Sequence, residues 1–337
     1  MKNAKKNTIV VLLIMIVVFC FILKDDYVNI LNNLLLANKW FILIAIILVM
    51  CYWFFKSICL YVIVKEYKPK IKLSKMFQQI LITQFFNGIT PFSTGGQPMQ
   101  VYMLKKSGLK VASATNIIVQ EFIMYQLALI VIGALSLILN WKFQVLSVSP
   151  VLKWLITLGF IINILVGLCL VFISFSKKFN DFVGKLIIRV GAKVKIVKDM
   201  EKTLLKWEEK LAEYNDSAKL FKKNKFLFLK CFLFNFIGLF LFYLVPFFIF
   251  KSFNFSIDIT VLEVVICSSF VLLIGNFVPI PGGSGGIEFG FLQFFSSFVA
   301  NSVVASALIV WRFITYYLGI IAGGVTLSFF KGDDKES

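Results

Sequence analysis

Five ionisable side chains interrupt the apolar segments of this chain: Lys56, Glu121, Glu263, Glu288 and Arg312. A charge at the centre of a bilayer costs at least about 3 kcal/mol, so it faces a cavity or a partner. Arg312, in "WRFITYYLG", lies about ten residues into the last apolar segment and is least able to reach an interface. Glu121, in "IVQEFIMYQ", is equally deep, and its sign and depth make it the expected partner of Arg312. Lys56 is long enough to snorkel along its stem, and Glu263 stands near a segment end, so a structural reading serves both as well as a functional one. Glu288 falls in the first turn after a glycine-rich stretch, where a carboxylate suits the positive end of a helix; capping alone accounts for it.

Two glycine-proline knots lie beside these charges. The first, "NGITPFSTGGQPMQ" at 87–100, and the second, "VPIPGGSGGIEFG" at 278–290, are helix-breaking stretches inside oily surroundings. Each has Asn and Gly three to four residues before a proline: Asn87 and Gly88 before Pro91, Gly275 and Asn276 before Pro279. A Gly-Gly pair and a new helix follow. Irregular backbone at membrane depth survives only where protein buries it or where it lines a polar cavity. Glycine permits positive φ and close backbone approach, and Pro98 suits the first position of a short helix. Helices beginning after Gly96 and Gly286 present free N–H groups and a positive dipole end, for which a lipid phosphate is the natural partner. Tight turns between packed helices are the plainer alternative. Gln97, Gln100, Gln120 and Gln126, with Gln84 and Asn87 just before the tip, suggest a polar groove for head-group hydroxyls; hydrogen bonding between helices is an equally ordinary use.

What must position these residues is a set of membrane helices. The chain has 337 residues, 59% of them hydrophobic, with 39 phenylalanines and a mean hydropathy of +0.89. The apolar runs are continuous rather than alternating, which excludes a β-barrel and a soluble globule. Full spans are expected at about 7–24, 40–64, 111–139, 151–175, 226–250 and 302–330, the second opening on Trp40 as an interface anchor. The net charge of +18 lies mostly next to these spans, where it sets topology and meets anionic lipid; nucleic acid is not implied. Residues 65–75 carry five lysines, and 176–225 hold fourteen Lys/Arg against seven Asp/Glu. Both termini then fall in the cytoplasm, provided 76–104 enters and returns on the inner side and 259–299 on the outer side. The expected fold is an all-α polytopic membrane protein, one integral domain over 1–337, with about six full spans and two re-entrant helical hairpins in an inverted repeat. The 176–225 segment reads as basic amphipathic helices on the membrane surface, with Phe179, Phe182, Leu186 and, further on, Trp207 and Leu211 on one face. "GIIAG", Gly319 to Gly323, fits a small-residue helix contact.

The chain has no histidine, which removes the commonest general base and metal ligand. Its six cysteines, Cys20, Cys51, Cys59, Cys169, Cys231 and Cys267, fall inside apolar runs without ligand spacing and read as small buried hydrophobes. No metal, cofactor, P-loop or catalytic residue is expected.

The pattern "TPFSTGGQPMQVYMLKKSG", an acidic residue in the next span, "PIPGGSGGIE" and an Arg in the last span resemble the lysylphosphatidylglycerol synthase transmembrane-region family over nearly the whole chain. The resemblance implies movement of phospholipid or glycolipid between leaflets. By motif position it assigns Pro91, Gly95, Gly96, Gln97 and Pro98 to the first motif and Glu121 to the acidic position. It assigns Pro279, Pro281, Gly282, Gly283 and Glu288 to the second motif, and Arg312 to the last span. With Asn87, Ser93, Gln100 and Asn276 these form the candidate head-group site. Many members carry Glu and Arg where this chain has Gln97 and Gln100, and Arg and Asp where it has Phe122 and Tyr125, so this groove is less charged. The expected function is translocation of an anionic or aminoacylated phospholipid or a glycolipid in the cell membrane. The expected partners are anionic phospholipids and an aminoacyl-lipid synthase or other lipid-modifying enzyme, with an oligomer possible. A lysyltransferase, which would need a soluble domain not seen in this sequence, and a non-transporting scaffold are the alternatives.

Overall fold

A computed structural model describes residues 27–146, 149–193, 203, 211, 224–253, 258–276 and 278–330. All regular structure among them is helical. The first expected span, 7–24, with Cys20, and most of 194–223 lie outside the described residues.

After a short helix α1 (Tyr27–Leu36) comes α2 (Lys39–Lys65), capped by the Asn38 side chain, which accepts from the Trp40 N–H at 3.0 Å. Its 27 residues rise about 40 Å, enough for the roughly 30 Å hydrocarbon core. Helices α5 (Val111–Phe143) and α6 (Pro150–Phe175) are also long and apolar enough to cross. The proline at the first turn of α6 costs no hydrogen bond there, and Ser149 caps it. Pro246 splits the next crossing into α8 (Lys225–Tyr243) and α9 (Val245–Ser252), which count together as one span. The last crossing, Asn301–Ser328, is α12 (Asn301–Arg312), a π-helical turn over Phe313–Tyr317, and α13 (Leu318–Ser328). Five helical segments among the described residues can therefore span a membrane, at five of the six expected places. Trp40 is 74% exposed at the mouth of α2, as an interface anchor would be.

Between the spans sit two shorter helical hairpins. The first is α3 (Leu73–Gly88), a three-residue 3-10 turn (Pro91–Ser93) and α4 (Gly96–Lys106). The second is α10 (Val261–Gly275), a 3-10 turn (Pro281–Gly283) and α11 (Gly286–Phe295). Helix α3 packs against α2 and α13, α4 against α5, and α10 against α5, α6 and α11. The two 3-10 turns touch each other. Phe250, Phe291, Phe295 and Trp311 stack with ring centroids 4.5–6.2 Å apart, tying α9, α11 and α12 behind the second hairpin. On the other side, Gly323 lets α13 reach the α3 backbone: a Cβ there would fall 2.3 Å from the Leu81 carbonyl oxygen. The small-residue motif is therefore a helix contact, and its partner is the first hairpin.

Helix α7 (Lys177–Lys193) occupies the start of the basic segment. Phe182 and Leu186 of its apolar face are exposed while Asn180 and Ile188 are buried, so the face expected to meet lipid points outward. The rest of the expected amphipathic face, from Val197 to Tyr214, lies outside the described residues except Leu211. Cys59, Cys231 and Cys267 are buried as small hydrophobes, but Cys51 is only half-buried and Cys169 is exposed on α6. A lipid-facing span can leave an apolar thiol on its surface without cost, so apolar surroundings did not imply burial.

Candidate functional site

The two hairpin tips are built to the same plan. Thr90 and Ile280 are extended, at φ −119° and −110°, and each is followed by a proline that opens the turn. The next two residues are left-handed in both: Phe92 and Ser93 at φ 53°, Gly282 and Gly283 at 65° and 64°. The turn bonds also match, Ser93 N–H to the Thr90 carbonyl and Gly283 N–H to the Ile280 carbonyl. The new helices start at Gly96 and Gly286. Pro91 thus corresponds to Pro281, and Gly95–Gly96 to Gly285–Gly286, two residues away from the register with Pro279 that the Asn-Gly spacing suggested. Turn conformation decides the register, because only one alignment puts both left-handed residues in step. Phe92 and Ser93 hold that conformation without glycine, at roughly 1–2 kcal/mol each, a strain that persists only where the surroundings over-determine it.

The helix starts are not free. The Gly96 N–H donates to Asn87 Oδ1 at 2.9 Å and the Gly95 N–H to Thr90 Oγ1 at 2.9 Å. At the second tip the Gly285 N–H donates to Glu288 Oε2 at 2.7 Å, so Glu288 does cap its helix. These three tip amides are spent within the protein, because a buried N–H left unmet costs about as much as a lost hydrogen bond. Pro98 lies two residues inside α4 rather than at its first position; its missing N–H still costs nothing in that first turn.

Arg312 does not pair with Glu121. Its Nε and Nη2 sit 2.7 and 2.6 Å from Glu288 Oε1, Nη2 also donates to Ser284 Oγ at 3.0 Å, and Nη1 donates to the Gly282 carbonyl at 3.1 Å. Sign and depth were right, but the partner comes from α11 because the tip turn brings Glu288 under the last span. Glu121 instead faces Lys56, with Nζ 3.6 Å from Oε1, and Lys56 lies 4.5 Å from the Tyr125 ring centroid. Lys56, its side chain 17% exposed, is therefore an ion-pair partner rather than a snorkelling side chain. Glu263 is shallow: it completes a capping box with Thr260 at the exposed start of α10.

A cavity of about 200 Å³ opens between the tips. Of the sequence-derived candidates, Ser93, Asn276, Gly282, Gly283 and Arg312 line it. Asn87, Gly95, Gly96 and Glu288 stand behind it and hold the tips, while Pro91 and Pro279 shape the turns. Gln97, Gln100 and Glu121 are not on its wall. Gln100 is buried, and Gln97 Oε1 is buried without a partner among the described residues. Gln120 bonds Asn116 within α5, while Gln126 bonds Asn163 of α6 at 2.9 Å and so joins two helices. The wall also holds residues that sequence reasoning missed, among them Tyr125, Phe242, Trp311 and Tyr316. Tyr316 joins the two hairpins: its hydroxyl donates to the Gly88 carbonyl at 2.7 Å, and its ring covers Gly282 so closely that a Cβ there would lie 2.3 Å from it. The π-helical turn was the missing signal, since a π-turn re-aims side chains and recurs at functional sites. The arrangement can hold and orient a polar group.

Comparison with known proteins agrees with this architecture. A "UPF0104 membrane protein" of Archaeoglobus fulgidus is 22% identical over 305 residues, covering 87% of each chain. An uncharacterized protein of Mycoplasma pneumoniae is 24% identical over 255 residues, 71% of this chain, and one of Mycoplasma genitalium is 22% identical over 260. The chain spans 65% and 66% of the length of those two mycoplasma relatives. Residues 8–323 match the family described as "Lysylphosphatidylglycerol synthase TM region". With nearly the whole chain matched and its helices placed as membrane spans, this protein belongs to the lysylphosphatidylglycerol synthase transmembrane-region family.

Proposed function

We propose that this protein moves a membrane lipid between leaflets of the cell membrane, holding the head group between its two hairpin tips. The observation that carries this reading is the meeting of the two tips around a cavity with polar and aromatic walls. In this reading α3–α4 dips in from the cytoplasmic side and α10–α11 from the outer side, as the halves of an inverted repeat, with both termini cytoplasmic. Backbone broken at membrane depth is tolerable because each tip buries against the other and lines a polar space. A second feature fits. An apolar groove of about 520 Å³ runs along α5, α8 and α10, the helices that also wall the cavity, lined by Leu135, Leu139, Phe236, Phe240 and Val265 among others. Such a groove offers hydrocarbon a path while the polar head stays between the tips. The family resemblance supplies the cargo classes, anionic or aminoacylated phospholipid and glycolipid, and a lipid-modifying enzyme as a neighbour.

The test is reconstitution into liposomes with acyl-labelled lipids of each class, reading leaflet exchange by chemical quenching of the outer label. Faster exchange than in empty vesicles is expected for at least one class. Exchange no faster than in empty vesicles for every class would overturn the reading.

A further inference from the structure

We infer that the cavity between the tips takes an uncharged, hydroxyl-bearing head group, a sugar ring or comparable polyol, in preference to an anionic phosphate head. The inference rests on the lipid-handling reading above and selects among its cargo classes.

The first ground is charge. Each nitrogen of Arg312 already has a protein acceptor, and its charge is matched by Glu288 at 2.6 Å. The nearby Lys56 is matched by Glu121. The amides of Gly95, Gly96 and Gly285 are bonded to Thr90, Asn87 and Glu288. The two side-chain cations are thus each matched by a carboxylate, and a buried phosphate would sit without a spare counter-charge.

The second ground is hydrogen-bond polarity. The Thr315 and Tyr316 hydroxyls spend their protons on the Trp311 and Gly88 carbonyls, at 2.6 and 2.7 Å. What remains on those oxygens is lone pairs, which welcome a ligand hydroxyl and repel a phosphate oxygen. Trp311, 3% exposed, supplies the complement: its indole N–H has no partner among the described residues, and Trp311 belongs to the cavity wall. An unmet buried donor asks for an acceptor, and a hydroxyl both donates and accepts.

The third ground is shape. Tyr125, Phe242, Trp311 and Tyr316 give the wall four aromatic rings, against which the C–H groups of a sugar ring pack. A volume of about 200 Å³ holds roughly seven water-sized groups at about 30 Å³ each, enough for one small ring.

The experiment measures binding of dioctanoyl glucosylglycerol and dioctanoyl phosphatidylglycerol to the full chain in detergent micelles, at low and high salt. At least ten-fold tighter binding of the glucosyl lipid is expected, unchanged by salt. Trp311→Phe should erase most of that preference while leaving phosphatidylglycerol binding as it was. Thr315→Val, nearly isosteric, should do the same if Trp311→Phe fails to fold. Equal or tighter phosphatidylglycerol binding, or a preference untouched by either substitution, would overturn the inference. The same two lipids, acyl-labelled, then separate this inference from translocation itself. Selective glucosyl-lipid binding with neither lipid, nor any other class, crossing faster than in empty vesicles sinks translocation and leaves the site standing. Faster crossing of phosphatidylglycerol sinks the site's selectivity and leaves translocation standing.

Discussion

Replacing Arg312 with methionine should destabilise this protein by about 3–5 kcal/mol, the cost of leaving the other half of a buried ion pair uncompensated. Glu288 is 6% exposed, and without Arg312 its carboxylate keeps only the Gly285 N–H at 2.7 Å. The Gly282 carbonyl and the Ser284 hydroxyl lose their guanidinium donors in the same step. Adding Glu288→Gln removes the orphaned charge while the amide oxygen can still cap α11. The double variant should therefore lie within about 2 kcal/mol of the parent, less than the sum of the two single losses, the non-additivity expected of residues in one network. Glu121 is the internal control, since Arg312 and Glu121 share no contact. Arg312→Met combined with Glu121→Gln should be additive to about 0.5 kcal/mol. The assay is equilibrium unfolding of purified protein in mixed micelles, followed by tryptophan fluorescence. An Arg312→Met cost below about 1 kcal/mol, or coupling to Glu121 in place of Glu288, would refute the pairing and with it the geometry of the second tip.

Three further outcomes follow from the same contacts. Gly282→Ala combines a left-handed backbone with a Cβ 2.3 Å from the Tyr316 ring, and Gly285→Ala keeps the left-handed backbone but meets open space. Unfolding should register roughly 1–2 kcal/mol for Gly285→Ala and clearly more for Gly282→Ala; equal costs would mean the tip and Tyr316 are not packed as described. Gly323→Ala, aimed at the Leu81 carbonyl 2.3 Å away, should loosen α13 from α3, whereas Gly324→Ala at 3.4 Å from Phe85 should be tolerated. Cysteine cross-linking between those two helices checks it, the idea failing if both variants cross-link like the parent. Lys56→Met should cost about 2–3 kcal/mol, less than Arg312→Met because the pair is longer at 3.6 Å, and Glu121→Gln should recover most of it. Additive losses in that cycle would separate Lys56 from Glu121.

Much of this architecture is legible in the chain because a membrane imposes two blunt rules. Spans must be about 20 apolar residues, and broken backbone must hide from lipid. Hence the five described crossings, the two hairpins, and the helix starts at Gly96 and Gly286 follow from composition and from glycine and proline alone. Glu288 was readable as a helix cap, since capping is a local interaction spanning three residues, and Glu263 only as standing near a segment end. What pairs with what was not readable. Depth and sign made Glu121 and Arg312 partners, but ion pairing is decided at a few ångströms, and the second tip brings Glu288 to Arg312 while α2 brings Lys56 to Glu121. The same holds for the cavity wall. Tyr125, Trp311 and Tyr316 are ordinary aromatics in an oily sequence, and only the convergence of α5, the π-turn and the two tips gives them a shared space. Sequence determined where the membrane helices break. Tertiary structure decided which polar groups satisfy one another at the break, and so which remain for a ligand, because that balance depends on contacts between segments far apart in the chain.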